Sequence, residues 1–329
     1  MRQSKIYDIA GAAGVSLATV SRVINHPEKV KKETRDKVLA IINSKGYVPN
    51  MNARSLAASK TASIALVVPT LLRASVAEMV QGVYDAALKV GYQVKLFIMD
   101  LKDSVNRYQE VIASGIDGII FMNDEIGEDM LNDIGDSPFP IVFVNTLPKR
   151  KNAVSVVIDY FDSAYFITRH FIDQGCKDIL FINTRHYYQT SEIRFNGYKK
   201  AMEEAGLTIK TIETVGDLDT NRDDFKKYLA SNPVPEAAIA VRDSMGISFM
   251  YEAIKIGAKV PEDLQVVGMQ NTRYSNLCNP TLTCMEMPIY DIGLAAMQEL
   301  KNRIENSHEK ISAKTIVIPY KIVVRSSTR

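Results

Sequence analysis

The sequence predicts an α/β protein with an N-terminal helix-turn-helix head and a two-lobed body with parallel sheets. Three observations lead there. Two short amphipathic segments flank a glycine near the start of the chain; apolar runs of strand length alternate with helical segments from residue 64 onward; and charge is divided unevenly between these regions.

The first helix rests on Ile6, Ile9, Ala10 and Ala13, which recur at helical spacing, and Gly14 follows where the chain must turn sharply. Ser16 is a helix N-cap candidate ahead of a second short helix, Leu17 to Asn25. A third helix is expected from about Lys32 to Ser44, with Val38, Leu39, Ile41 and Ile42 on its apolar face and Gly46 ending it. The run Asn52 to Ala58 holds good helix formers but is too short to be stable alone, so it reads as a hinge that orders on a partner.

Beyond it, apolar runs at Ile64–Val68, Val94–Met99, Gly118–Met122, Ile141–Val144, Val156–Ile158, Ile179–Ile182, Ala237–Val241 and Leu264–Val267 read as strands. Segments such as Ala77–Val90, Ser163–Gln174, Phe195–Ala205 and Met245–Ile256 carry helical period between them. Strands that are continuously apolar belong in parallel sheets covered on both faces. About eight of them, with more β-rich sequence at Lys314–Val324, suit two doubly wound lobes with a ligand cleft at the carboxyl ends of the strands. The expected division is a head over 1–48, a hinge helix and linker over 49–61, and a body over 62–329. Within the body, lobe 1 takes about 62–160 and 287–318, and lobe 2 about 161–286 and 319–329.

The formal net charge is only +2, yet the first 62 residues hold 11 Lys and Arg against four Asp and Glu, while the rest holds 29 against 34. A basic head on a mildly acidic body suits a polyanion-binding module fused to a soluble domain. With 46% hydrophobic and 24% charged residues, the 329-residue chain is neither disordered nor fibrous. Cys176, Cys278 and Cys284 form no CxxC pair and no closed disulfide framework, and no leader-like or membrane-spanning run occurs, so a cytoplasmic protein is expected. The histidines His26, His170, His186 and His308 lack metal-ligand spacing, and no nucleophile elbow, phosphate loop or dinucleotide fingerprint follows a strand. No enzyme, metal or cofactor is therefore expected.

A helix that enters a major groove needs short side chains at its front and donors aimed at base edges. Leu17, Ala18 and Thr19 meet the first need; Ser16, Thr19, Ser21 and Arg22 supply the second. The alternative is a plain helical hairpin in which Val20, Val23 and Ile24 pack and Arg22 is solvated.

The stretches Ile6-Tyr7-Asp8-Ile9-Ala10, Gly14-Val15-Ser16, Ala18 to Asn25, Thr34-Arg35, Gly46 to Asn50 and Ala53-Arg54-Ser55-Leu56-Ala57 closely resemble the head and hinge of the LacI/GalR family of bacterial regulators. The resemblance continues through Asp117 to Phe121, Asp159, Gly175 to Ile179, Arg194 to Tyr198, Val260 to Leu264 and Pro280 to Thr283. It implies a two-lobed, periplasmic-binding-protein-like body and a homodimeric repressor of carbohydrate genes on a pseudo-palindromic operator. Contacts to DNA are implied for Tyr7, Ser16, Leu17, Ala18, Thr19, Ser21, Arg22 and Asn25 in the head. In the hinge they are implied for Asn50, Ala53, Arg54 and Leu56, the last as a wedge between base pairs.

Implied effector residues are Asp159, Tyr187, Arg194, Arg242, Asp243 and Gln270. Two positions depart from the family's pattern: Arg242 stands where an Asn is usual and Gln270 where a late Asp is usual. Two arginines and one fewer carboxylate favour a sugar phosphate over a neutral sugar, whereas pairing of Arg242 with Asp243 would remove that bias. Tyr187 and Tyr188 suit either stacking on a sugar ring or packing at a lobe edge. Residues 268–273 and 287–293 look most like the catabolite control protein A subgroup, whose corepressor is phosphorylated HPr. Tyr290, Leu294 and Gln298 fall on the corresponding surface, with Gln298 where an arginine is usual. The expectation is a sugar- or sugar-phosphate-controlled repressor, of a maltose or α-glucoside operon by family habit, with the HPr-dependent global regulator as the alternative.

Overall fold

A computed structural model describes residues 6–47, 61–99, 104–122, 134, 139–148, 153–185, 189–216, 218–306 and 312–329. The chain divides into two compact units, Met1–Thr61 and Ala62–Arg329.

In the first unit, α1 (Ile6–Ala13), α2 (Leu17–Asn25) and α3 (Lys32–Ser44) enclose one small core, with a 3-10 turn at Pro27–Lys29 between the last two. Ile9, Ala10, Ala13, Val20, Val23 and Val38 are buried there, one to three from each helix. Leu39, expected on the apolar face of α3, points outward and is 40% exposed. Ile41 and Ile42 pack against the core instead, because a stripe at 3.6 residues per turn that includes Val38 leaves its immediate neighbour about 100° away.

The second unit has the α/β architecture expected. β1 (Ser63–Val68), α4 (Ala74–Lys89), β2 (Gln93–Ile98), α5 (Ser104–Ala113), β3 (Gly118–Phe121), β4 (Ile141–Val144) and β5 (Val154–Ile158) build the first sheet. The chain then crosses into a second run: α6 (Tyr160–Asp173), β6 (Ile179–Thr184), α7 (Gln189–Glu204), β7 (Lys210–Thr214), α8 (Leu218–Ser231), β8 (Ala237–Ala240), α9 (Asp243–Lys255), β9 (Gln265–Gly268) and β10 (Thr283–Glu286). It returns through α10 (Ile289–Glu305) to β11 (Lys314–Ile318) and crosses a third time to β12 (Lys321–Val323). The sheets run β11-β5-β4-β3-β1-β2 and β12-β10-β9-β8-β6-β7. All registered pairs are parallel except β10 with β12.

β1 shows why its sequence is apolar throughout. Ile64, Leu66 and Val68 face the layer holding Val76, Met79 and Leu300 of α4 and α10, while Ala65 and Val67 face Tyr108 and Val111 of α5. Both faces of the pleat are covered, and each large aliphatic residue so buried contributes about 1.5–3 kcal/mol. The crossing of α4 and α10 depends on two glycines. A Cβ on Gly82 would strike the Tyr290 carbonyl, and one on Gly293 the Met79 carbonyl. Backbone therefore lies on backbone there, and Tyr290 is drawn onto α4.

Candidate functional site: a helical reader and an inter-lobe cleft

Gly14 adopts φ +65° and closes α1, its amide bonding the Gly11 carbonyl at 3.3 Å while the Val15 amide bonds that of Ala10 at 3.1 Å. Ser16 then starts α2 in an extended conformation (φ −69°, ψ 156°), and its Oγ accepts the Thr19 amide at 3.2 Å. The Ser16 and Thr19 hydroxyls also bond each other at 2.9 Å. Val20 and Val23 are buried, so α2 does pack as a hairpin element would, but its other face is open. There Leu17, Ala18 and Arg22 are exposed, Ser21 is half-buried, and Tyr7 on α1 is 67% exposed. The Asn25 side chain, like Asn50, Ala53, Arg54 and Leu56, lies outside the described residues.

The body presents its candidate site where several strands end. A space of about 60 Å³ is bordered from lobe 1 by Arg73, Ser75 and Asn145, and from lobe 2 by Thr190, Ser191, Arg194, Arg242 and Gln270. These residues follow β1, β4, β6, β8 and β9 at their carboxyl ends, the usual ligand position in doubly wound sheets. A larger cavity of about 750 Å³ shares Arg73, Ser75, Arg242 and Gln270 and runs on along α9 past Ile247 and Tyr251 to Tyr274 and Leu277. Among the described residues, side-chain hydrogen bonds that join the lobes include Gln270 Nε2 donating to Ser75 Oγ at 3.4 Å and the Leu147 amide donating to Gln189 Oε1 at 3.1 Å. At the third crossing, Tyr320 donates to Asp162 at 2.5 Å.

Of the expected effector residues, Arg194, Arg242 and Gln270 border the small space. Arg194 is only 6% exposed, its guanidinium carbon 4.0 Å from the centroid of the Tyr160 ring.

Two of the expected residues, Asp243 and Asp159, have partners within the chain. Asp243 is fully buried and borders neither of these two cavities. Its Oδ1 accepts the Gln270 amide at 3.1 Å and the Asn271 amide at 3.4 Å, and its Oδ2 the Thr272 amide at 2.5 Å and hydroxyl at 2.8 Å. Burial pushes its carboxyl up, against the downward pull of those bonds. Asp243 is thus the anchor of the loop that carries Gln270. Asp159 borders neither cavity; it is exposed and caps α6, accepting the Asp162 amide at 2.9 Å. The Asp-x-x-Asp spacing of 159 and 162 already carried that capping signal. Tyr187 and Tyr188 lie outside the described residues.

The sequence reading missed Arg73, Ser75 and Asn145. Their one signal was position, just beyond an apolar run. Asn145 adopts φ +56° and is 9% exposed, and its Oδ1 has no hydrogen-bond partner among the described residues.

On α10, Tyr290, Leu294 and Gln298 share one face at four-residue spacing. The Tyr290 hydroxyl donates to Asp85 at 2.8 Å, which pushes its pKa up, and Gln298 Nε2 donates to Asn302 Oδ1 at 3.2 Å. The three cysteines are free and buried. Among the described residues, no helix is long and apolar enough to cross a membrane.

Comparison with known proteins agrees with both units. Residues 5–50 match the bacterial regulatory proteins of the lacI family, and residues 168–328 a periplasmic binding protein-like domain. Catabolite control protein A of Priestia megaterium is 33% identical over 330 residues, covering 98% of this chain and 99% of the relative. The crystal structure of the lac repressor dimer bound to operator and the anti-inducer ONPF superposes with a TM-score of 0.91 at 21% identity, over 99% of both chains. Transcription regulator CcpA of Lactococcus lactis gives 0.70 at 26% identity, over 81% of this chain and 99% of the other. These relatives are transcriptional regulators and not enzymes. With a basic helical reader before two parallel-sheet lobes, and a relative this similar along nearly its whole length, the chain belongs to the lacI family of DNA-binding transcriptional regulators.

Proposed function

We propose that the protein is a homodimeric, cytoplasmic repressor of carbohydrate-utilisation genes, released from or held on a pseudo-palindromic operator by a sugar or sugar phosphate bound between its lobes. The observation that carries the reading is the division of α2 into a buried Val20–Val23 face and an open face bearing Leu17, Ala18 and Arg22. Small residues at the front of that face let the backbone approach base edges, and Arg22 has the fork that pairs with guanine. Ser16, Thr19, Ser21, Asn25 and Tyr7 take backbone or base contacts beside it, with Asn50, Ala53, Arg54 and Leu56 in the minor groove. An effector with different affinity for two lobe arrangements shifts their populations and so the order of the paired hinges.

A gel-shift titration on the upstream region of the chain's own gene tests this. We expect a sequence-specific complex whose affinity falls steeply with salt, because basic side chains displace counterions from phosphates. No salt-sensitive specific complex would overturn the reading. A maltose or α-glucoside operon is the regulon we propose first, and transcript profiling of a deletion strain checks it.

The second reading is a global regulator with phosphorylated HPr as corepressor. The shared face of half-buried Tyr290 and Leu294 and exposed Gln298 favours it, while the neutral amide of Gln298 cannot form a charge-assisted fork with a phosphoserine. Surface plasmon resonance with phosphorylated and unphosphorylated HPr decides between them, since the second reading requires phosphorylation-dependent binding.

A further inference from the structure

We infer that Asn271 and Arg325 are positioning residues for the closure of the lobes: they tie two of the chain's crossings between lobes to Gln270, through which lobe 2 reaches Ser75 of lobe 1. The inference goes beyond the regulator reading above and stands or falls apart from it. The loop after β9 turns at Asn271, which adopts φ +62°, a left-handed conformation that a residue with a Cβ takes at some strain. Its side chain is held from two sides. Oδ1 accepts Arg325 Nη2 at 2.7 Å and the Ser275 hydroxyl at 3.2 Å, and Nδ2 donates to Glu286 Oε1 at 3.2 Å. A guanidinium offers no acceptor and a carboxylate no donor, so the amide has one orientation only. The bonds to Arg325 and Glu286 are charge-assisted and stronger than bonds between neutral groups.

These two charged partners belong to different crossings. Glu286 ends β10, just before the chain passes into lobe 1 at α10, and Arg325 follows β12, just after the chain has come back from β11. Arg325 is itself fixed, its Nη1 donating to the Leu282 carbonyl at 2.6 Å and its amide to Thr283 Oγ1 at 2.8 Å. The tail behind it is bonded to β9, Ser327 Oγ donating to the Val266 carbonyl at 2.6 Å and the Arg329 amide to Gln265 Oε1 at 2.9 Å. Asn271 thus lies where a fixed tail meets a crossing strap. Gln270 precedes it, with its amide on Asp243, its carbonyl accepting the Met287 amide of the same strap at 3.4 Å and its side chain on Ser75. A change in the angle between lobes displaces the straps, and a displaced strap moves the Asn271 amide and Gln270 with it. Arg325 and Asn271 border neither cavity, so they act on lobe 1 through Gln270 and not through a ligand.

Amide hydrogen exchange on the full chain, read by mass spectrometry, tests the assignment without a ligand or DNA. Arg325→Gln should speed exchange about tenfold both at the amides of 270–272 and, across the cleft, in the first turn of α4 around Ser75, while leaving β6 unchanged. Arg325→Lys, which keeps one charged donor, should fall between that variant and the parent. Asn271→Gly keeps the left-handed turn without strain and removes both charged bonds. It should reproduce the effect on α4 with no fall in the urea midpoint. Gln270→Ala should speed the first turn of α4 alone, and adding Arg325→Gln to it should change that turn no further. Unchanged exchange in that turn for Arg325→Gln or Asn271→Gly, an effect that adds to that of Gln270→Ala, or acceleration spread evenly over lobe 2 would each overturn the inference. A gel shift on the same preparations separates it from the regulator reading. A specific operator complex in the parent with unchanged exchange in the variants sinks this inference alone, and the expected exchange with no operator complex sinks the regulator reading alone.

Discussion

Replacing Asp243 by Asn keeps the shape of the side chain and turns one acceptor into a donor. The carboxylate holds two amides on Oδ1 and the Thr272 amide and hydroxyl on Oδ2, at 2.5–3.4 Å. In either amide orientation one pair of donors would face an N–H. Hydrogen bonds to a charged acceptor contribute about 1.5–3 kcal/mol each, so losing two costs about 3–6 kcal/mol. Removing a buried charge offsets roughly 1–3 kcal/mol of that. The net destabilisation is about 3 kcal/mol, which with a urea slope of about 3 kcal/mol per M moves the unfolding midpoint down by about 1 M. Urea titration followed by circular dichroism measures it, with effector calorimetry beside it. A shift below about 0.3 M together with a large loss of effector affinity would refute the anchoring role and return Asp243 to the ligand.

Other perturbations bear on the remaining structure. Ser16→Ala removes the cap of α2 and should lower head stability by about 1 kcal/mol, read as faster amide exchange at the start of that helix. Tyr198→Phe strips a fully buried hydroxyl that joins the Ile179 and Lys210 carbonyls and accepts the Lys210 amide, at 2.9–3.1 Å. It should cost about 1–3 kcal/mol in the same urea assay. In the parent chain burial pushes this phenol up to about 12, so ultraviolet titration should show a tyrosine, lost in the variant, that ionises well after ordinary ones. Glu236 is held below its usual value chiefly by the Asp178 and Lys177 amides. A depressed carboxyl contributes stability above its unfolded pKa and loses it as pH falls through the folded one. Melting temperatures measured from pH 6 to pH 3 should therefore fall less steeply for Glu236→Gln than for the parent.

What the sequence disclosed follows from how local each cause is. Gly14 and Ser16 act through their own backbone and immediate neighbours, so the turn and cap of the head were readable at once. β1, β3, β4 and β8 are buried along their full length, and continuous apolar runs revealed them. β7 lies at a sheet edge, where alternating exposure left Ile212 as its one aliphatic residue and hid the strand. Within the cleft, Arg194, Arg242 and Gln270 were reached through the family resemblance, the last two as departures from its pattern. Asn145 and Arg73 were not, since what singles them out is a left-handed backbone and a convergence of distant segments. The partners of Asp243 and Asp159 were hidden for a related reason: they are largely backbone amides, which every sequence contains.

The two edge strands that come last, β11 and β12, have a consequence for synthesis. β11 joins β5 from about 160 residues away and β12 joins β10, while Ser327 bonds Val266 through both backbone and side chain. As the chain leaves the ribosome, residues 6–47 have all they need to form the small helical core at once. Each lobe must wait, with one flank of its sheet open, until residues beyond 313 emerge. The nascent protein thus passes through a stage in which its DNA-reading part is folded while the part that governs it is not, an interval when unpaired strand edges are exposed to chaperones and to other chains.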